Sequence, residues 1–186
     1  YTLVSVAHLR SLISELSSRL NTSHYEDQKE TYKQARKAGI ETQGFIDSLS
    51  VCLPSLLSDA YSKFMSNVRY VFIDEITQVL NVFASEKVFS STDVEQVFLF
   101  FKDLIAKAEC LIVADANINQ QTFDFIESCR PNERFNIVEI KPKNEHKKAW
   151  LYESDKELTS KILNDVIALN KKVWITCDSP KQGRLL

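Results

Sequence analysis

Two apolar runs in this sequence end in carboxylates. The first run, Val71 to Ile73, leads directly into Asp74 and Glu75. The second run, Leu111 to Ala114, leads into Asp115. In a parallel α/β sheet these acids would lie at the carboxyl ends of strands, where such sheets bind ligands. The two runs therefore predict phosphate and metal chemistry.

The adjoining acids Asp74 and Glu75 are suited to work on a terminal phosphate. Asp74 could hold a magnesium ion through its water shell, while Glu75 orients a water for attack. Each acid also has a structural interpretation, because exposed acids end many strands. In that interpretation Asp115 and Asn117 cap the helix that follows, and Asn119 is another candidate for the cap.

Two segments further upstream combine a short strand with the start of a helix. The run Leu3 to Val6 leads through His8 into a predicted helix with Arg10 in its first turn. A second short strand leads into Pro54 and Ser55, with the proline at the helix start. A helix N-terminus with a nearby arginine and serine can bind a phosphate of a nucleic-acid backbone. The alternative is a pair of ordinary helices with solvated polar side chains.

Strand-like and helix-like segments alternate along the chain. Strand-like runs fall at 2–6, 50–53, 69–74, 110–115, 135–140, 149–152 and 171–177. This alternation predicts an α/β domain with a mostly parallel sheet. The clearest predicted helix, 92–108, has one apolar stripe and a capping box of Thr92 with Glu95. A second capping box, Ser154 with Glu157, opens a helix that Asn170 ends.

Composition narrows the class of protein. The chain has 186 residues, 44% hydrophobic and 26% charged, with a formal net charge of -2. It contains no apolar run long enough to span a bilayer and no signal-peptide pattern, so we expect a soluble, cytoplasmic protein without membrane contacts. Any contact with nucleic acid must come from local patches.

Cysteine, histidine and glycine residues exclude several kinds of site. The cysteines form no CxxC pair and the histidines are scattered, so we expect reduced thiols and no structural metal. The only glycines are Gly39, Gly44 and Gly183, so neither GxxxxGK[ST] nor GxGxxG occurs. The chain opens at Tyr1 without a methionine, which suggests an excised piece of a longer protein.

Two polar segments have their own interpretations. The segment from Asn21 to Gly44 is polar and charged, with a possible helix at Tyr25 to Ala38, and is interpreted as a solvated surface insertion, with a binding role as the alternative. The basic stretch Arg130 to Lys148 contains two prolines and is the best candidate for a connection between domains.

Four segments, taken in order, resemble motifs Ia, Ib, II and III of superfamily 2 helicases. They are His8 to Leu12, Val51 to Leu56, Val71 to Ile76 and Val113 to Ala116. The specific resemblance is to the replication-origin-binding proteins of herpesviruses and to plasmid or phage replication proteins. It implies the latter part of a first RecA-like domain at 1–130, a basic connection at 131–148, and the start of a second RecA-like domain at 149–186. In the last part, Lys172 to Ser179 would begin motif IV.

The resemblance also implies a role for each matching residue. Asp74 would bind magnesium and Glu75 would be the catalytic base. Ala114 and Asp115 would couple phosphate sensing to nucleic acid. The residues implied to face the nucleic-acid strand are His8, Arg10 and Ser55.

The implied cofactors are ATP and Mg²⁺, and the implied partners are single-stranded or forked DNA and other replication proteins. The location would be cytoplasmic, or nuclear for a eukaryotic virus. The phosphate-loop lysine expected before Tyr1 and the arginine of motif VI expected after Leu186 are missing. We therefore expect this piece alone to hydrolyse ATP poorly or not at all.

Two other functions fit the same residues. A magnesium-dependent phosphoryl hydrolase or nuclease could gather Asp74, Glu75, Asp115 and Asp178 around one or two metal ions. A non-catalytic adaptor would use the acids as caps and the stretch 130–148 as a docking surface. A GxxxxGK[ST] motif in residues encoded before Tyr1 would favour the helicase.

Overall fold

The computed structural model describes residues 2–40, 46–85, 89, 93–140 and 154–170. The chain divides into two compact units, Tyr1–Phe135 and Asn136–Leu186. The first unit carries the sheet and every candidate site residue discussed below.

The first unit is built on a five-stranded sheet in which every pairing is parallel. The strands are β1 Leu3–Ala7, β2 Ser23–His24, β3 Ser48–Cys52, β4 Tyr70–Asp74 and β5 Cys110–Ala114. Their spatial order is β2-β3-β1-β4-β5. The structure thus confirms the predicted α/β class with a parallel sheet and flanking helices.

The central strands consist mainly of apolar residues, which helices and turns bury. Val4 and Val6 of β1 and Val51 of β3 are completely buried. Continuous apolar runs of this kind are typical of parallel strands covered on both faces. Val6 lies opposite Val51 on one side and Ile73 on the other. Strands β1, β3 and β4 therefore end at nearly the same level.

Helices connect these strands and follow the last of them. They are α1 Arg10–Leu20, α2 Tyr25–Lys37, α3 Ser62–Met65, α4 Ile76–Phe83, α5 Val94–Lys107 and α6 Gln120–Cys129. Two 3-10 turns follow β3, at Leu53–Ser55 and Asp59–Tyr61. The predicted apolar stripe of α5 is confirmed, since its buried residues are Val97, Phe101, Leu104 and Ile105.

The cap of α5 differs from the prediction. The Asp93 side chain accepts hydrogen bonds from the N–H groups of Glu95 and Gln96, so Asp93 is the N-cap. Thr92, which we expected to cap this helix, lies outside the described residues. Both residue types are good caps, and an acid has the added benefit of facing the positive end of the helix dipole.

Phenylalanines join α4, α5 and α6. Phe83 of α4 meets Phe98 of α5 edge-on, with ring centroids 5.1 Å apart. Phe101 of α5 stacks on Phe125 of α6 at 6.0 Å. Each such pair adds about 0.5–1.5 kcal/mol to the burial of the rings. This packing holds α4, which begins directly after Glu75.

The segment from Asn21 to Gly44 forms the predicted helix, and most of its described residues lie at the surface, but it is also attached to the sheet. Strand β2 pairs with β3, and Tyr25 at the start of α2 is only 3% exposed. A buried hydroxyl chain explains the attachment. Ser50 of β3 shares hydrogen bonds of 2.5 Å with both Ser5 and Thr22. Residues 41–45 lie outside the described part.

The second unit contains α7, Asp155–Leu163, followed by a π-helical turn at Asn164–Ala168. Ser154 accepts a hydrogen bond from the N–H of Glu157, as the predicted capping box requires. The strand predicted at 135–140 is absent, because those residues pair with no described strand. Ile137, for example, is 74% exposed. The predicted strands 149–152 and 171–177, and with them Asp178, lie outside the described residues.

Candidate functional site at the carboxyl edge of the sheet

All the predicted site residues follow or end strands of one parallel sheet. Asp74 is the last residue of β4, and its strand partner Ala114 is the last residue of β5, directly before Asp115. On the other side of β4, β1 ends just before His8. Because parallel strands have their carboxyl ends at the same edge, the structure brings these segments to one edge.

Arg10 and Ser55 belong to the same edge. Arg10 opens α1 two positions beyond His8, and Ser55 ends the 3-10 turn that follows β3. The strands carrying them are neighbours, with Ala7 opposite Cys52. The sheet therefore assembles at one edge the residues that the sequence predicted to lie there.

The chain turns sharply between Asp74 and Glu75. Glu75 has φ of 54° and ψ of 51°, the left-handed conformation, and α4 begins at the next residue, Ile76. The carbonyl of Glu75 accepts hydrogen bonds from the N–H groups of Gln78 and Val79 at 2.9 and 3.0 Å. A left-handed residue other than glycine costs about 1–2 kcal/mol, and such strained residues cluster at functional sites.

Both acids remain available to a ligand. Asp74 and Glu75 are half-buried, and neither carboxylate has a hydrogen-bonding or ionic partner among the described residues. Their oxygens are the kind of ligand that Mg²⁺ prefers. No cluster of three or more His, Cys, Asp or Glu side chains in the described part of the chain could hold a metal ion. Any magnesium here would therefore rely on waters and on phosphate oxygens for its remaining ligands.

Asp115 is fully engaged by the backbone. One carboxylate oxygen accepts a hydrogen bond from the N–H of Thr77 at 2.8 Å, and the other accepts from Asn117 at 2.7 Å. Partial burial raises the pKa of Asp115, but the N–H donors of Asn117 and Thr77 outweigh it, so the pKa lies below its ordinary value. Asp115 thus ties the first turn of α4 to the loop after β5.

The cap of α6 is Asn119. Its side-chain oxygen accepts a hydrogen bond from the N–H of Thr122 at 2.9 Å. The prediction that Asn119 could cap this helix is confirmed. Asp115 does not cap α6, because its oxygens bind Thr77 and Asn117 instead.

His8 and Arg10 have different surroundings. His8 is half-buried, and its Nδ1 atom is buried with no hydrogen-bond partner among the described residues. The side chain of Arg10 is 78% exposed, and its Nη2 lies 3.1 Å from Oε1 of Glu26. Arg10 can therefore reach a ligand above the sheet, whereas His8 is held close to the protein.

The hydroxyl of Ser55 has a hydrogen-bond donor that the sequence did not predict. Its hydroxyl accepts a hydrogen bond of 2.9 Å from Nζ of Lys29, and its carbonyl accepts one from the hydroxyl of Tyr61. Lys29 lies on α2, with Nζ 5.2 Å from the centre of the Tyr25 ring. The spacing of Tyr25 and Lys29, one turn apart, predicts that they share a helix face. Nothing in the sequence predicts that this face meets the turn after β3.

No helix in the described part of the chain is long and apolar enough to cross a membrane. Comparison with protein families, curated proteins and solved structures found no match to this chain.

Proposed function

We propose that this chain is part of an ATP-dependent DNA helicase that acts in replication and couples ATP hydrolysis to strand separation. The observation that carries the proposal is the shared sheet edge. It bears the partner-free acids Asp74 and Glu75 on β4, and segments suited to phosphate binding on β1 and β3. In this function Asp74 binds the magnesium ion of ATP, and Glu75 orients the attacking water.

The hydrogen bond between Thr77 and Asp115 supports the coupling role of Asp115. It links the loop after β5 to the first turn of α4, which starts directly after Glu75. A movement of that loop would therefore be transmitted to the position of Glu75. In the proposed function this link passes information between the nucleotide and the nucleic-acid strand.

ATP binding needs a phosphate-cradling loop, which these 186 residues do not contain. In the part of the chain that the structure describes, β5 is an edge strand of the sheet, and the strand that carries such a loop could pair with it. Strand β5 pairs with β4 on one side and with no other described strand, and Ile112 on its face is 56% exposed. A strand added there would end beside Asp115 and Asp74, at the edge where a γ-phosphate is required.

The alternative of a nuclease needs several carboxylates around its metal ions. Both oxygens of Asp115 already accept backbone N–H groups, which leaves Asp74 and Glu75 as the available pair among the described candidates for this site. The alternative of an adaptor uses the basic stretch 130–148 as a docking surface. Arg130 packs within the first unit, with its side chain only 9% exposed, whereas residues 131–140 are exposed. The engagement of Asp115 favours the helicase over the nuclease.

The test uses the full-length natural chain that contains these residues. We expect residues encoded before Tyr1 to include GxxxxGK[ST], and the protein to hydrolyse ATP in the presence of single-stranded DNA. The Glu75→Gln variant should lose turnover while it still binds nucleotide, because an amide cannot act as the base. The control is Glu127→Gln on the exposed surface of α6, which should retain turnover.

Retained turnover in Glu75→Gln would show that Glu75 is not the base. A natural chain that lacks the phosphate loop, and that cleaves nucleic acid with magnesium, would replace the helicase with the nuclease.

A further inference from the structure

A cation lies at the sheet edge without an anionic partner. Nζ of Lys29 donates to the hydroxyl of Ser55, and no carboxylate among the described residues lies within 4.0 Å of it. The side chain is half-buried. Burial lowers the pKa of Lys29 and outweighs the opposing effects of Glu26 and Cys52, while the nearby charges of Lys33 and Arg10 lower the pKa further. A partly desolvated ammonium without a counterion is unfavourable, and a bound anion would relieve that cost.

Arg10 and Lys29 approach the same place from different elements. Arg10 starts α1 after β1, and Lys29 reaches Ser55 after β3, while Ala7 and Cys52 at the ends of these strands are register partners. Adjacent strands lie about 4.8 Å apart. Two cations and a hydroxyl are therefore grouped at one edge, which is the chemistry that binds phosphodiester oxygens.

Glu26 is the only carboxylate that contacts Arg10 in the described part of the chain. It holds Nη2 of Arg10 at 3.1 Å and accepts a hydrogen bond from the hydroxyl of Tyr25 at 3.2 Å. The ion pair is solvent-exposed on both sides, so it is weak and can be exchanged for another anion.

From these contacts we propose that Lys29 is an additional phosphate-binding residue, which acts with Arg10 and Ser55 on the backbone of the bound single-stranded DNA. In this arrangement Glu26 competes with the phosphate for Arg10. The proposal rests on the proposed function and adds to it a contact between α2 and the bound DNA strand.

The experiment measures binding of a fluorescein-labelled oligothymidylate of about 20 nucleotides to the full-length natural chain, by anisotropy at several salt concentrations. The variant is Lys29→Met, which keeps the aliphatic stem beside Tyr25 and removes the charge. One phosphate contact contributes about 0.7 to the salt slope for single strands, so its loss weakens binding roughly fivefold at 0.1 M salt. The loss should be equal for an unrelated sequence, because phosphate contacts do not read bases.

The matched control is Lys37→Met, which removes the same charge about two turns further along α2, at an exposed position. It should leave affinity and salt slope nearly unchanged. The second variant, Glu26→Gln, frees Arg10 and should strengthen binding by about twofold or more, since a surface ion pair is worth up to about 1 kcal/mol. If Lys29→Met fails to fold, the affinity of Glu26→Gln still tests whether this group of residues binds the phosphate.

Unchanged affinity and slope in Lys29→Met, or an unchanged affinity in Glu26→Gln, would overturn this inference. If the unmodified chain still hydrolyses ATP with DNA in those cases, the proposed function stands without the contact on α2. If the unmodified chain neither binds the oligonucleotide nor hydrolyses ATP, both proposals fail.

Discussion

The backbone N–H of Thr77 donates a hydrogen bond to the carboxylate of Asp115 over 2.8 Å, joining residues that are 38 positions apart in the chain. The bond crosses from the first turn of α4 to the end of β5. Glu75, in its left-handed conformation, lies directly before that turn. The position of the proposed base therefore depends on an acid supplied by the neighbouring strand.

Replacing Asp115 should destabilise the first unit. In Asp115→Ala the N–H groups of Thr77 and Asn117 lose a charged acceptor, and we expect the free energy of unfolding to fall by about 1–3 kcal/mol. Urea unfolding followed by circular dichroism measures this. Asp103→Ala is the control, because Asp103 forms only an exposed ion pair with Lys107 within α5. Equal stability of the two variants would contradict the role of Asp115.

The contribution of Asp115 should depend on pH in a definite direction. Its pKa in the folded protein is lowered, so its stabilising effect is present above the unfolded pKa of roughly 3.9 and disappears as pH falls through the folded pKa. The difference in unfolding free energy between the natural protein and Asp115→Asn should therefore be constant near neutral pH and shrink in acid. Unfolding curves between pH 7 and pH 3 test this. If the difference in unfolding free energy instead grows in acid, the pKa of Asp115 is not lowered by folding.

The left-handed conformation of Glu75 predicts an unusual response to glycine. Glu75→Gly and Glu75→Ala both remove the carboxylate, but only glycine adopts φ of 54° without strain. We expect Glu75→Gly to be more stable than Glu75→Ala by about 1 kcal/mol in thermal or urea unfolding. At Asp103, in the interior of α5, the order should be inverted, because glycine is unfavourable inside a helix by about 1 kcal/mol. Alanine as the more stable substitution at Glu75 would show that the turn has another conformation.

Arg130 should be needed for stability. Its Nη1 donates to the carbonyls of Ile105 and Ala108 at 2.8 and 2.6 Å, near the end of α5. Arg130→Met leaves these carbonyls without their charged donor, and we expect a loss of about 2–4 kcal/mol in the free energy of unfolding. Arg130→Lys should recover only part of it, because an ammonium does not reproduce the geometry of the guanidinium.

The exposed Arg19 provides a comparison for Arg130. It pairs with Glu15 on the surface of α1, and Arg19→Met should cost less than about 1 kcal/mol. If Arg130→Met is no more costly than Arg19→Met, the two carbonyl contacts contribute nothing to stability.

Arg10 distinguishes the helicase from the nuclease. In the helicase, Arg10→Ala in the full-length natural chain should weaken single-strand binding equally for unrelated sequences and lower the salt slope by about 0.7. In the nuclease, the main contact is the metal cluster, so Asp74→Asn would matter more for binding and Arg10→Ala would be nearly silent. Anisotropy at two salt concentrations separates these cases. Unchanged affinity and slope in Arg10→Ala would remove α1 from the strand-binding site.

Local sequence patterns were sufficient for much of the fold. The apolar runs that became β1 and β3 are recognisable because strands buried on both faces need continuous apolar residues, and β4 and β5 are recognisable by similar runs. The stripe of α5 is recognisable because burial of one helix face requires the 3.6-residue period. The parallel arrangement then places Asp74 and Asp115 at one edge, which is why the candidate site could be predicted in outline.

Other features of the fold depend on strand pairing between distant residues, which local sequence patterns do not show. Strand β2 is only two polar residues long, yet it pairs with β3, and Thr22 directly before it shares a hydrogen bond with the hydroxyl of Ser50. The run at 135–140 has a strand-like pattern, but it forms no strand because no described neighbour pairs with it. A strand is stable only when its backbone groups find partners, and residues far away in the sequence supply them.

The finer chemistry of the site was decided by tertiary structure alone. The sequence by itself identified Ser55, Asp74, Glu75 and Asp115 as polar residues at strand ends. It could not show that Lys29 reaches Ser55 or that Asp115 binds the N–H of Thr77. Both contacts join elements brought together by the strand order β2-β3-β1-β4-β5. Hydrogen bonds act over about 3 Å, so their partners are fixed only when packing has set the positions of whole helices and strands.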